Sequence, residues 1–514
     1  MATESSRGRP REAWGSRAGF LMAAIGSAIG LGNIWRFPSE AYKNGGGAFL
    51  LPYLLALLTA GLPLLILEYV IGRRYRRSPP AAFRRMSAPA QVIGWWQVAI
   101  CCVIAAYYAV ILAWAVRYVG FSVGERWGDD PDAFFFGDFL GTAEQPGWIS
   151  SYVGGVFWPL LVIWIAVLVV LVLGVRRGIE LANRIFIPLL VLFFVALVIR
   201  AVTLDGAATG LDALFSPDWG ALTRGSVWVA AYGQIFFSLS VGFGIMITYA
   251  SYLRRRADLT GSALVAGFAN SSFEILAGIG VFATLGFLSL NTGTPVDETV
   301  TSGIGLAFVA FPTIISNMPL GTLFGLLFFG SLVIAGLTSL LSIVQVPVAA
   351  VQDRTGLGRT PAVLGVGGAI ALASILLFPT DSGLYLLDAA DHFINQYGIA
   401  LASLAAVVTV AWLLRRLPAL QRDADDTSAV RLGVWWRVAL GVITPLVLGW
   451  MMIDSLRAEF DENYGGYETG FLFWAGWAVA LGALLAAVLL SLVPWRRDRE
   501  PTDTDSDTLF ERGR

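Results

Sequence analysis

The sequence is short of nearly everything a soluble catalyst uses. Among 514 residues there is one histidine, His392, and there are two cysteines, Cys101 and Cys102. A single histidine cannot build a histidine metal site, and it makes a Ser–His catalytic pair a poor reading. The cysteines are adjacent inside an apolar run, which excludes a disulfide scaffold and leaves them as reduced packing residues. Charge is scarce too: 14% of residues are Asp, Glu, Lys or Arg, against about 25% in soluble domains. The net charge of −1 offers no footprint for nucleic acid. No Walker-type phosphate loop is present, so an ATP-driven engine has no visible part.

What is there is apolar. Hydrophobic residues make up 56% of the chain and the mean hydropathy is +0.70. A bilayer-spanning helix needs roughly 20 mostly apolar residues bounded by charge. Twelve such runs stand out, at 17–43, 46–72, 91–121, 157–175, 181–202, 225–252, 259–288, 320–351, 361–379, 383–414, 433–455 and 467–495. The expectation is an all-α integral membrane protein with 12 transmembrane helices.

The arginines test that number independently, because cytoplasmic loops hold an excess of positive charge. With the N-terminus inside, alternate segments hold 28 of the 35 Lys and Arg residues, in clusters such as Arg73 to Arg85, Arg254 to Arg256 and Arg415 to Arg437. The other loops are acidic, as in Asp129-Asp130-Pro131-Asp132 and Glu459 to Glu462. An odd number of spans breaks this alternation. Twelve spans put both termini in the cytoplasm, with a short arm at 1–16 and a tail at 496–514.

Two spans carry clusters that a membrane helix should avoid, since glycine costs about 1 kcal/mol in a helix interior. The first contains Gly26-Ser27-Ala28-Ile29-Gly30-Leu31-Gly32-Asn33, and the sixth contains Ser238-Leu239-Ser240-Val241-Gly242-Phe243-Gly244. Backbone at membrane depth leaves helical geometry only where it lines a cavity or is buried in protein. Close packing through small residues explains either cluster alone. Matching interruptions at the start of two halves point instead to an inverted-repeat transporter, with substrate bound where the helices unwind. The halves would be 17–202 and 203–414, each of five spans, followed by two C-terminal spans within 415–495.

Gly26 through Pro38, with Trp14-Gly15-Ser16-Arg17 before it and Asn44-Gly45-Gly46-Gly47-Ala48-Phe49 after it, resembles the opening signature of the neurotransmitter:sodium symporter family. Gly233 to Ser240 and Ala335-Gly336-Leu337-Thr338-Ser339 resemble its sixth- and eighth-helix motifs. The likeness runs from about Arg11 to Asp391 and points to the bacterial and archaeal amino-acid branch, with the leucine-transporter fold. It implies a sodium-coupled symporter of an uncharged, apolar α-amino acid, working by alternating access. The plasma membrane would be its location, with a homodimer left open and no organic cofactor.

The resemblance also implies a site. One sodium would be held by the Ala28 carbonyl, Asn33, Ser238 and Asn270. A second would be held by the carbonyls of Gly26, Ile29 and Ala335 with the hydroxyls of Thr338 and Ser339. Sodium is a hard cation that takes oxygen ligands, which half-helix ends supply. Substrate would meet Ser27, Ala28, Gly30, Leu31, Gly32, Ile104, Tyr108, Phe237, Ser238, Ser240, Phe243, Ser339 and Ile343. Free N–H groups around Leu31 and Ser240 would receive its carboxylate. Monoamine relatives carry aspartate where this chain has Gly30, so the carboxylate must come from the substrate.

Arg36 and Asp391 resemble an outer gate pair, with Phe243 as lid. Arg11 and Asp353, assisted by Trp14 and Tyr252, resemble an inner one. Glu68 is expected to brace the first span, and His392 to be a bystander. Gly178 and Pro188 resemble a helix-breaking pair that opens a cytoplasmic water path. Glu274, one helical turn after Asn270, stands where chloride-dependent relatives have a small polar residue, so chloride is expected to be unnecessary and proton counter-transport a by-product. A channel or a membrane enzyme would need a selectivity ring or a catalytic cluster that the sequence lacks. A non-transporting amino-acid sensor on the same fold is the remaining alternative.

Overall fold

A lipid environment offers no partner to a free N–H or C=O, so the apolar runs must fold as helices. The computed structural model describes residues 12–146, 151–296 and 303–495, and apart from two isolated bridges its regular structure there is helical. Arg11 lies outside the described residues.

In chain order the apolar helices are α1 (Arg17–Ala28) and α2 (Leu31–Lys43), bent by 53° at a short break. Then come α3 (Gly47–Tyr75), α4 (Ala88–Phe121), α5 (Gly154–Val172) and α6 (Val175–Val202). The short helices α7 (Gly225–Ser238) and α8 (Ile245–Ala250) precede α9 (Leu259–Thr292), α10 (Gly321–Thr355), α11 (Arg359–Leu377) and α12 (Gly383–Leu413). Last are α13 (Val434–Gly466) and α14 (Thr469–Leu492).

By length and composition, ten of these cross a membrane among the described residues, or eleven with the bent pair. The expected number was twelve. The difference falls on run 225–252, where α7 and α8 flank the unwound segment Leu239–Gly244 and neither is long enough to span. The short apolar helix Gly303–Ser316 was not expected at all.

Burial separates a core from a lipid-facing ring. The most apolar stretch of α4 is 78% buried and those of α9 and α10 are 72%, against 33% for α5 and 28% for α14. Core helices must therefore satisfy each other's polar groups, while the ring presents side chains such as Trp158, Trp450 and Trp474 outward.

One expectation changes on contact with the structure. Glu68 braces the sixth run, not the first: its carboxylate accepts the Gly242 N–H at 2.8 Å, within the unwound segment. The α6 helix is continuous through Gly178, which lies in its π-helical start, and Pro188. Gly178 packs against α5, where an added Cβ would stand 2.0 Å from the Val170 carbonyl oxygen.

Removing a buried acceptor leaves its donor unsatisfied, at about 1–3 kcal/mol. Glu68→Ala should therefore lower the melting temperature of the detergent-purified protein, and Glu68→Gln, which keeps a carbonyl acceptor, should lower it less. Equal melting temperatures for parent and Glu68→Ala would refute the bracing.

Candidate functional site

The break in the first span is narrow. Ile29 (φ −72°, ψ 98°) and Gly30 (φ −120°, ψ −169°) are extended, and α2 restarts at Leu31. Its first N–H groups need acceptors from elsewhere. Gly30 N–H donates to Asn33 Oδ1 at 2.8 Å, and Leu31 N–H approaches the Tyr108 hydroxyl at 3.4 Å. The second break is wider, with Ser240 (φ 52°), Gly242 (φ 93°) and Gly244 (φ 82°) in left-handed geometry. Ser240 follows the C-terminal end of α7; α8 begins only at Ile245, so Ser240 does not open a half-helix as expected. Its hydroxyl crosses to the first break and donates to the Ser27 carbonyl at 2.8 Å.

Between the breaks lies a cavity of about 630 Å³. It is lined by Ser27, Ala28, Gly30, Leu31, Gly32, Ile104, Tyr108, Phe237, Ser240, Phe243, Ser339 and Ile343. Ser238 is the exception among the expected substrate contacts: it is buried behind the wall and accepts from the Asn270 amide at 3.1 Å. An added Cβ at Gly30 would press on the Ser339 and Tyr108 hydroxyls at 3.3 Å each, so any side chain there would crowd the polar end of the cavity. At Gly32 it would meet the Phe237 ring at 2.1 Å, which is why α2 and α7 approach so closely.

Two sets of oxygens converge beside the cavity. In the first, Asn33 Nδ2 donates to Asn270 Oδ1 at 2.9 Å and Asn270 in turn reaches Ser238; Ala28 ends α1 just before the break. In the second, the Ser339 hydroxyl lies 3.4 Å from both the Gly26 and the Ile29 carbonyls. Thr338 bonds its own helix, donating to the Ala335 carbonyl at 2.9 Å. Among the described residues no three His, Cys, Asp or Glu side chains gather as metal ligands. The converging atoms are neutral carbonyl, amide and hydroxyl oxygens, a donor set for a hard monovalent cation.

The cavity opens past Arg36 and Asp391 toward Phe136, Gly303, Ile304 and Tyr464, the side the arginine distribution assigns to the exterior. Among the described residues no ion pair joins Arg36 to Asp391. Arg36 instead sits 4.8 Å above the Phe237 ring and 3.9 Å from Glu40, while Asp391 accepts the Asn395 amide at 2.8 Å. The two gate candidates thus both line the cavity, each with its own partners.

The opposite side is packed shut. Trp14 donates from its indole to the Tyr249 carbonyl at 2.8 Å and meets Tyr249 and Tyr252 edge-on. Asp353 is 3.5 Å from Arg77 and accepts the Ser78 N–H at 2.6 Å. Arg359 bridges Glu12 at 2.6 Å and Gln345 at 2.8 Å, and Gln345 reaches the Tyr252 hydroxyl at 2.7 Å. Sequence reasoning missed Glu12, Arg77, Gln345 and Arg359, having read the arginines only as loop charge.

It also missed an outer layer from the C-terminal spans. Tyr464 and Tyr467 donate to Asp388 at 3.0 and 2.9 Å. His392 is no bystander: it lines the cavity, stacks on Tyr464 at 3.7 Å and meets Glu459 at 2.9 Å. Glu274 is buried beside the first oxygen set, bonded by the Gln234 amide at 2.6 Å and by the Tyr53 hydroxyl, which also reaches Ser271 at 2.9 Å.

Residues 11–134 and 128–498 match the profile of the sodium:neurotransmitter symporter family. The chain belongs to that family. It is 40% identical over 482 residues to an uncharacterized sodium-dependent transporter of Methanocaldococcus jannaschii, covering 93% of this chain and 97% of that protein. It is 29% identical to the sodium-dependent dopamine transporter of Bos taurus, over 94% of this chain and 74% of the relative. The crystal structure of MhsT in complex with L-phenylalanine superposes with a TM-score of 0.73 at 32% identity, covering 87% of this chain and all of that one. The symporter is thus a multi-pass membrane protein that couples sodium to the movement of a small molecule. Members of its family are secondary transporters, not enzymes.

A cavity open to the side that the arginine distribution assigns to the exterior has a direct chemical signature. Ile111 lines it one turn beyond Tyr108, whereas Cys101 is fully buried. In intact cells, Ile111→Cys should react with a membrane-impermeant thiosulfonate well above the parent background. Labelling no higher than the parent would contradict the outward opening.

Proposed function

We propose that the chain is a sodium-coupled symporter of an uncharged, apolar α-amino acid, with two sodium sites and both termini in the cytoplasm. One observation carries the reading: two broken helices bring the backbone N–H groups of the first break, two sets of neutral oxygens and an apolar wall to one cavity. A carboxylate would sit at Leu31 N–H and the Tyr108 hydroxyl, complete the first sodium's shell and leave its side chain among Ile104, Phe237, Phe243 and Ile343. Gly30 supplies no competing negative charge. L-Phenylalanine, the molecule in the related crystal structure, fits this description.

Sodium then does work that binding alone cannot. One ion entering down about 100 mV and a tenfold gradient releases roughly 3.7 kcal/mol, enough for a several-hundred-fold substrate gradient. In the first site Ala28, Asn33, Ser238 and Asn270 would hold the ion, and the amides now bonded to each other would turn their oxygens to it. In the second, Gly26, Ile29, Ala335, Thr338 and Ser339 would join α1 to α10. Outer closure would bring Arg36 to Asp391 over Phe243. Inner opening would part Trp14, Tyr252 and the Asp353 contacts, with Arg11 as a further partner of Asp353. The halves 17–202 and 203–414 would rock against each other.

Asn270→Ala and Thr338→Val should each reduce sodium-driven uptake of L-phenylalanine into proteoliposomes by tenfold or more, and potassium in place of sodium should abolish accumulation. Full uptake driven by a proton gradient alone would exclude the sodium mechanism.

Glu274 would supply beside the first sodium the negative charge that an anion supplies elsewhere, and would return protonated when the ion has left. Uptake should therefore persist when chloride is replaced by gluconate, and Glu274→Ser should become chloride-dependent. A parent that stops in gluconate would overturn this role.

A further inference from the structure

The substrate-facing stripe of α4 does not end at the cavity. Ile111, Tyr108 and Ile104 line it, and the same helical face continues at spacings of three and four residues to Cys101 and Gln97. These two side chains are fully buried and neither lines the cavity itself. Both turn to the unwound segment of the sixth run. Gln97 Nε2 donates to the Gly242 carbonyl at 3.0 Å, and the Cys101 thiol donates to the Phe243 carbonyl at 3.2 Å.

Those carbonyls need outside donors because the unwound segment has no next turn to supply them. Glu68 holds the Gly242 N–H from α3, so three side chains from two helices fix two consecutive residues. Gly242 has no room to shift sideways: its φ is 93°, and an added Cβ would stand 1.9 Å from the Ser403 hydroxyl on α12. Phe243, whose backbone is pinned on this side, is the residue that carries its ring into the cavity.

We infer that Gln97 and Cys101 are specificity-determining positioning residues: by holding the Gly242 and Phe243 carbonyls they set how far the Phe243 ring enters the cavity, and so how large a substrate side chain fits. The inference rests on the proposal that an apolar amino acid binds there. A thiol is a weak donor, so Cys101→Ser keeps the contact while Cys101→Ala removes it. Gln97→Met keeps length and volume and loses only the N–H, since Gln97 Oε1 has no hydrogen-bond partner among the described residues.

The test is displacement of labelled L-phenylalanine from the purified full-length protein by L-valine and by L-tryptophan, in sodium. Losing a hydrogen bond of ordinary strength should release the Phe243 backbone and shift the tryptophan-to-valine affinity ratio toward tryptophan by about three- to tenfold. Cys101→Ala and Gln97→Met should both show the shift, at unchanged sodium half-saturation, and Cys101→Ser should keep the parental ratio. If one variant does not fold, the other carries the test. Ratios unchanged in folded variants, or affinities for all three amino acids falling in parallel, would overturn the inference alone. A parent that binds none of the three in sodium would overturn the substrate reading and the inference with it.

Discussion

Everything in this molecule depends on one constraint: backbone that leaves helical geometry inside a membrane must find every hydrogen-bond partner within the protein. The two breaks are where that demand is met at close range. The first break gives its N–H groups to Asn33 and Tyr108 and one of its carbonyls to Ser240. The second is held by Glu68, Gln97 and Cys101. The core helices α4, α9 and α10 are buried because they supply such partners, and the outer helices are free to be merely apolar. Structure and site are therefore the same network. The groups that stabilise the unwound backbone are also those that place the cavity walls.

The same constraint explains why the two ends of the cavity differ. On the inner side, aromatic edges and a relay from Glu12 through Arg359 and Gln345 to Tyr252 close the path with directional bonds. On the outer side, Arg36 rests on an aromatic face and Asp391 on an amide, each satisfied without the other. A charge pair held apart by alternative partners can close when a bound substrate fills the space between, because closure exchanges contacts and leaves no charge bare. The Tyr464, Tyr467 and Asp388 contacts tie the C-terminal spans to this outer layer, so α13 and α14 share in its geometry.

Much of this was legible in the residues. Apolar runs bounded by arginine gave helices close to those observed, and the two glycine-rich clusters marked the breaks at the correct positions. The cavity-facing side chains followed from the motifs, apart from Ser238, whose hydroxyl turns behind the wall to Asn270. What was illegible was partnership across distant helices. Nothing local in the sequence says that Glu68 meets Gly242 and not the first span, or that Arg359 reaches Glu12. His392 was dismissed because Glu459 and Tyr464 lie 67 and 72 positions away along the chain. The number of uninterrupted helices differs from the number of apolar runs for a physical reason as well. Hydropathy measures composition, and the run 225–252 keeps its apolar composition while its backbone unwinds.

The central claim is that sodium and an amino acid share one site, so their binding must be thermodynamically reciprocal. Equilibrium titration of the purified protein with L-phenylalanine at several sodium concentrations, and with sodium at several phenylalanine concentrations, measures that coupling from both sides. The account predicts that each ligand tightens the other by the same factor, and that potassium gives no tightening. A phenylalanine affinity that is equal in sodium and potassium would contradict it.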